Sequence, residues 1–112
     1  MMNTRLNAYR IMWTICFFDL PVKTKKEQKI ANNFRKFLKD DGFMMLQFSV
    51  YGRHCPSSDN ANVHINRIKK HIPQHGSVLI LKITDKQFGE AIIYHNAKKE
   101  DPPKGWQQLE LF

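Results

Sequence analysis

Apolar residues cluster in short runs along the chain, with two helical patterns between them. Residues 9–18, YRIMWTICFF, are rich in aromatic and β-branched side chains and predict a strand that stops at Asp19-Leu20-Pro21. Ile11, Trp13, Ile15 and Phe17 then point one way, and Met12, Thr14, Cys16 and Phe18 the other. A helix follows. Thr24 and Glu27 have capping-box spacing, and Ile30, Phe34, Phe37 and Leu38 recur on one face. Gly42 can take the left-handed conformation that ends a helix. Residues 43–53, FMMLQFSVYGR, predict one continuous second strand, with Met44, Leu46, Phe48 and Val50 on one face and Phe43, Met45, Gln47, Ser49 and Tyr51 on the other.

His54-Cys55-Pro56 breaks that pattern, and Ser57 or Ser58 caps a second helix with Asp59 in its first turn. Ala61, Ile65, Ile68 and Ile72 form its apolar stripe, and Pro73 follows its end. Residues 77–84, SVLILKIT, predict a third strand, and 88–94, FGEAIIY, a shorter fourth one after the connection Asp85-Lys86-Gln87. Residues 96–108 read as a polar loop, and Leu109-Glu110-Leu111-Phe112 as a short edge strand. The fold read from them is an α+β, ferredoxin-like βαββαβ sandwich over residues 1–95, with 96–112 as an appended loop and strand, although the runs themselves place one strand between the helices where that order has two, and two after the second helix where it has one. Both helices then cover one face of the sheet. The other face should be polar, yet the strands are apolar on both sides. Phe43, Met45, Tyr51, Met12 and Phe18 are the surplus apolar set, and a twofold homodimer, sheet against sheet, is the simplest cover for them.

The charge sharpens this picture. The 112 residues carry 18 Lys+Arg against 10 Asp+Glu, a net +8, which suits a polyanion partner. Lys23, Lys25, Lys26 and Lys29 gather at the start of the first helix, where free backbone N–H groups also favour phosphate. Arg53, just past the second strand, and Arg10, at the start of the first, are further phosphate candidates. Such contacts position a duplex without reading its sequence. Cys16 and Cys55 have no zinc spacing and fit reduced structural thiols in a cytoplasmic protein. The five histidines, at 54, 64, 71, 75 and 95, form no metal-ligand pattern. MMNTRLNAYR lacks the apolar core of a signal peptide, and no apolar run is long enough to span a bilayer. The strand VLILKIT carries no aromatic residue, which excludes the base-stacking signature of RNA-recognition domains.

The fragments MWTICFFDLPVKTKKE, GFMMLQFSVYGRHC, VLILKITDKQFG and QLELF, in this order, resemble the CRISPR-associated protein two family, in the branch that accompanies type II, single-effector systems. The resemblance implies a ferredoxin-like homodimer whose C-terminal strand adds to the partner's sheet, placed between dimers of an integrase subunit and holding a protospacer duplex. It also implies magnesium-dependent nuclease activity on RNA or DNA in many members, with the metal-binding aspartate, the candidate catalytic residue, mapping onto Asp19. From the residues alone Asp19 is better explained as a turn-forming side chain before Leu20-Pro21, and it is the resemblance that turns the balance toward metal binding while leaving catalysis open. One carboxylate is a thin magnesium site, whereas two copies across a twofold axis would make a fuller one. Scaffold, nuclease and an unrelated RNA-binding module all stay open at this point.

Overall fold

The computed structural model describes residues 10–103. Its elements are β1 (Met12–Asp19), α1 (Lys25–Asp40), β2 (Met44–Gln47), β3 (Val50–Cys55), α2 (Ser58–Lys69), β4 (Ser77–Thr84), α3 (Asp85–Gly89), β5 (Ile93–His95) and β6 (Lys98–Glu100). The first four strands form one sheet in the order β2-β3-β1-β4, with every neighbouring pair antiparallel. That is the ferredoxin-like βαββαβ frame.

Its strands come from different places than the pattern predicted. The run 43–53 is not one strand but a hairpin, with Gln47 facing Val50 across a Phe48-Ser49 turn. Ser49 adopts φ 64°, and its carbonyl accepts the Phe18 N–H at 3.0 Å, which anchors the turn to β1. Neither turn residue is Gly or Asn, so the turn left no sequence signal. Residues 88–94 do not add a strand to this sheet. Thr84 and Gln87 form a second capping box (Thr84 N–H to Gln87 Oε1 2.9 Å, Gln87 N–H to Thr84 Oγ1 3.1 Å), and α3 replaces the start of the predicted strand. Among the described residues β5 and β6 pair only with each other, across an Asn96-Ala97 turn with φ 52° and 62°. The predicted strand Leu109–Phe112 lies outside the described residues.

α1 forms as its sequence dictates. Thr24 N–H donates to Glu27 Oε1 at 2.9 Å while Glu27 N–H donates to Thr24 Oγ1 at 3.1 Å. Gly42, at φ 90°, turns the chain out of the helix. Ala31, Phe34 and Leu38 face the sheet, whereas Ile30 stays exposed and Phe37 stacks on His71 at 3.9 Å. Together with Ile68 of α2 they pack on Cys16, Phe18, Phe43 and Tyr51. This corrects the predicted surplus face. Phe18, Phe43 and Tyr51 lie under the helices and are buried.

The face away from α1 and α2 carries Trp13, Ile15 and Phe17 of β1, in register with Ile83, Leu81 and Leu79 of β4. It divides into two halves. At one end α3 folds over: Phe88 stacks on Trp13 at 4.1 Å, and the Trp13 indole N–H donates to Asp85 Oδ1 at 2.7 Å. At the other end Phe17, Leu79 and Leu81 have no cover among the described residues, and Phe48 of the hairpin turn borders them, with Phe48 78% and Leu79 56% exposed.

The sheet's two borders also differ. β2 is four residues long and bulged between Met45 and Gln47, whereas β4 has eight residues and no strand on its outer side among the described residues.

One polar network ties the helices together. Asp41, the C-cap of α1, takes the His64 Nδ1 at 2.8 Å and an Arg67 guanidinium N–H at 2.7 Å, both from α2. Partial burial pushes the Asp41 carboxyl up, but the hydrogen bonds from His64 and Arg67 and their charges outweigh it and hold the group below the ordinary carboxylate range. A depressed folded value stabilises the protein above the unfolded pKa of about 3.9 and is lost as pH falls through the folded value. Asp41→Asn is therefore expected to melt several degrees below the unsubstituted protein at pH 6, with the gap shrinking once pH drops below about 4 in parallel thermal melts.

Candidate nucleic-acid interface and the Asp19 cleft

The candidate residues fall into two groups at opposite ends of the fold. Asp19 ends β1 and leads within five residues to Lys23 and the N-terminus of α1. Arg10 precedes β1, and Arg53 sits on β3 opposite Thr14, toward the other end. α1 alone, at about 1.5 Å per residue, separates Lys25 from the Asp41 that Arg53 touches by roughly 24 Å.

Lys23, Lys25, Lys26 and Lys29 are all exposed. The helix sorts them further. Lys25, Lys29, Lys36 and Lys39 follow i, i+4, i+11 and i+14 spacing and share the face of α1 opposite the buried Ala31, Phe34 and Leu38. Lys26 leaves this stripe and borders a small depression with Glu27, Gln74 and His75. Lys36 pairs with Asp40 at 3.0 Å on the surface, a contact of little energetic weight. The first-turn lysines Lys25 and Lys29 are thus one end of a longer stripe, and Lys36 and Lys39, which the sequence places on the polar remainder of the same helix, continue it.

Arg53 is placed differently. Its Nε donates to the Asp41 carbonyl at 2.8 Å and its Nη1 to the His54 carbonyl at 2.9 Å, so the half-buried side chain closes the α1–β2 connection over Gly42. Arg10 is exposed near that same end.

Asp19 lies on the open face, paired in register with Ser77, at the uncovered end. Together with Phe17, Phe48, Ser49, Ser77 and Leu79 it borders a shallow cleft of about 310 Å³. Gly76 is required beside it. At φ 94°, a Cβ there would sit 2.5 Å from the Asp19 carbonyl. The carboxylate is exposed, and no group of three His, Cys, Asp or Glu side chains converges anywhere among the described residues. Magnesium is usually held by one or two carboxylates together with waters and substrate phosphates, so Asp19 by itself is the low end of that range and a second copy would supply the other carboxylate.

The remaining titratable groups lie elsewhere. Burial pushes the Cys16 thiol up to about 12, which keeps it protonated and inert. Burial, opposed by the Asp85 carboxylate and aided by Arg53, holds the His54 imidazole below its ordinary value. His64 is buried in the Asp41 network, and His71 packs on Phe37.

Comparison with known proteins decides the family. The model of the family described as CRISPR associated protein Cas2 matches residues 12–91, which is β1 through the end of α3. The chain belongs to the Cas2 family. Among Cas2 relatives, a protein of Flavobacterium psychrophilum named CRISPR-associated endoribonuclease Cas2 is 53% identical over 109 residues, covering 97% of this chain and 95% of its own. A Cas2 protein of the same name from Parvibaculum lavamentivorans is 46% identical over 101 residues, covering 90% of this chain and all of its own. Another from Streptococcus mutans is 38% identical over 89 residues, covering 80% of this chain and 81% of its own. The Cas2 match thus spans both the lysine stripe and the Asp19 cleft. No helix among the described residues is long and apolar enough to cross a membrane.

Proposed function

We propose that the protein works as a homodimeric subunit of CRISPR adaptation, holding duplex protospacer DNA and bridging dimers of the integrase subunit during spacer acquisition. The observation that carries this reading is the division of the molecule into an uncovered apolar half-face, Phe17, Phe48, Leu79 and Leu81, and a lysine stripe on the opposite layer. Pairing through the apolar half-face leaves both copies of α1 turned outward, so the dimer offers two basic tracks to one duplex. These tracks contact phosphates, which makes binding independent of base sequence and steeply dependent on salt. Changing Lys25 and Lys29 together to Glu removes two contacts from each of the two copies, and is expected to weaken duplex binding at least tenfold at low salt and to flatten the dependence of log affinity on log salt by about 4, measured by fluorescence anisotropy. Equal affinity and slope for the variant would remove α1 from the interface.

A second reading is favoured by Asp19. Its carboxylate lies on the uncovered half-face, so twofold pairing there brings two copies to one surface. That pair suits magnesium, and the relatives named endoribonucleases support a metal-dependent endoribonuclease or endonuclease activity. Bound there, magnesium would supply a Lewis acid for phosphodiester hydrolysis. Asp19 would hold the ion, and the apolar wall of Phe17, Phe48 and Leu79 would limit water around it. Asp19→Asn is expected to abolish magnesium-dependent RNA cleavage, a loss of 100-fold or more, while duplex binding and spacer acquisition persist. Full cleavage by that variant would sink the second reading, and lost duplex binding would tie the carboxylate to the scaffold.

A further inference from the structure

We propose that Arg35 is a phosphate anchor for the nucleic-acid strand on α1, an assignment that rests on the duplex-binding reading above. Arg35 is half-buried on α1, at the flank of the stripe made by Lys29, Lys36 and Lys39. Its guanidinium lies 5.9 Å from the Phe18 ring centre and 5.3 Å from that of Phe48. Its Nη1 donates to Asn32 Oδ1 at 2.9 Å, and its Nε is buried with no acceptor. Among the described residues no carboxylate comes within 4.0 Å of it.

This is an unusual environment for a cation partly withdrawn from water. Such a charge ordinarily takes an anion as partner. Here two aromatic rings and a neutral amide surround it without neutralising it. One N–H on Nη1 and both on Nη2 stay available, in the forked geometry that matches two phosphate oxygens. The lysines around it raise the local potential, so the ligand that fits is a polyanion rather than an isolated carboxylate. Phe48 belongs both to this clamp and to the wall of the Asp19 cleft. The anchor therefore stands where the lysine stripe meets the cleft.

A latch that only steadied the hairpin turn would show in melting, not in the count of phosphates neutralised. The full chain is titrated into a fluorescent DNA duplex at several salt concentrations, and thermal melts are run alongside. Arg35→Gln, which acts once in each copy of the dimer, is expected to lower affinity about five- to tenfold and to flatten the slope of log affinity against log salt by about 2. Arg35→Lys is expected to keep the slope and recover only part of the affinity, since an ammonium lacks the paired donors. Phe48→Leu is expected to lower affinity about threefold at unchanged slope, because one ring of the clamp is gone.

If the unsubstituted protein binds with a steep slope and Arg35→Gln matches it, this assignment fails while the duplex reading stands. If the unsubstituted protein shows no salt-sensitive binding, the duplex reading fails and takes the anchor with it. Should Arg35→Gln not fold, Arg35→Lys decides: partial affinity supports the anchor and full affinity overturns it.

Discussion

Leu79→Asp is expected to leave the chain monomeric at tens of micromolar, where the unsubstituted protein sediments as a dimer. Leu79 is 56% exposed in the single chain and pairs in register with Phe17, at the centre of the uncovered half-face. In one copy the new carboxylate meets water, so the fold should tolerate it within about 0.5 kcal/mol. In a sheet-to-sheet pair the same carboxylate is buried twice without a counter-ion, at a cost of several kcal/mol. At about 1.4 kcal/mol per tenfold, that raises the dissociation constant at least a thousandfold. Sedimentation equilibrium gives the oligomeric state, and a thermal melt checks that the monomer is folded. A variant that remains dimeric, or an unsubstituted chain that is monomeric at these concentrations, would refute the pairing. Loss of duplex binding alongside the dimer would show that the two basic tracks act together.

The second large effect concerns stability. Trp13→Ala is expected to destabilise the fold by about 4–5 kcal/mol, and to lower the melting temperature by roughly 20 °C or more. Trp13 is 2% exposed and serves three neighbours at once: Phe88 stacked on its face, His54 at its edge, and the buried Asp85 carboxylate at its N–H. Asp85 is fully buried, and its second oxygen already has no partner, so losing the indole donor strands the whole group. Trp13→Phe separates the contributions. It keeps much of the stacking but removes the donor, with an expected loss of about 2 kcal/mol. A melt of Trp13→Ala within a few degrees of the unsubstituted protein would show that α3 contributes little to the fold.

What could be read from the sequence followed from signals that are local. Thr24 and Glu27 placed the start of α1, Gly42 its end, and the pair Ser57-Ser58 the start of α2, where the structure selects Ser57, because each cap involves residues only a few positions apart. The apolar surplus was legible too, since strands apolar on both faces need two covers. Which residues formed it was not. The two faces of β1 look equally greasy in sequence, and only the register with β3 and β4 shows that Cys16 and Phe18 meet the helices while Ile15 and Phe17 do not. The hairpin at Phe48-Ser49 was hidden because a serine there adopts a conformation usually given to Gly or Asn. Thr84 and Gln87 were a readable capping box, overlooked because the apolar run FGEAIIY has the look of a strand. Within the candidate site, Asp19 and the first-turn lysines could be named from position alone. Arg35 and Phe48 could not, as their significance lies in a contact between elements thirteen residues apart in the chain.

The unequal borders of the sheet limit how the molecule can grow. β2 is short and bulged, which discourages a further strand, while β4 presents an unbroken row of eight residues. Two inviting borders would let copies join end over end into filaments. A single inviting border per copy can be satisfied once, by one incoming strand, and then the assembly is closed.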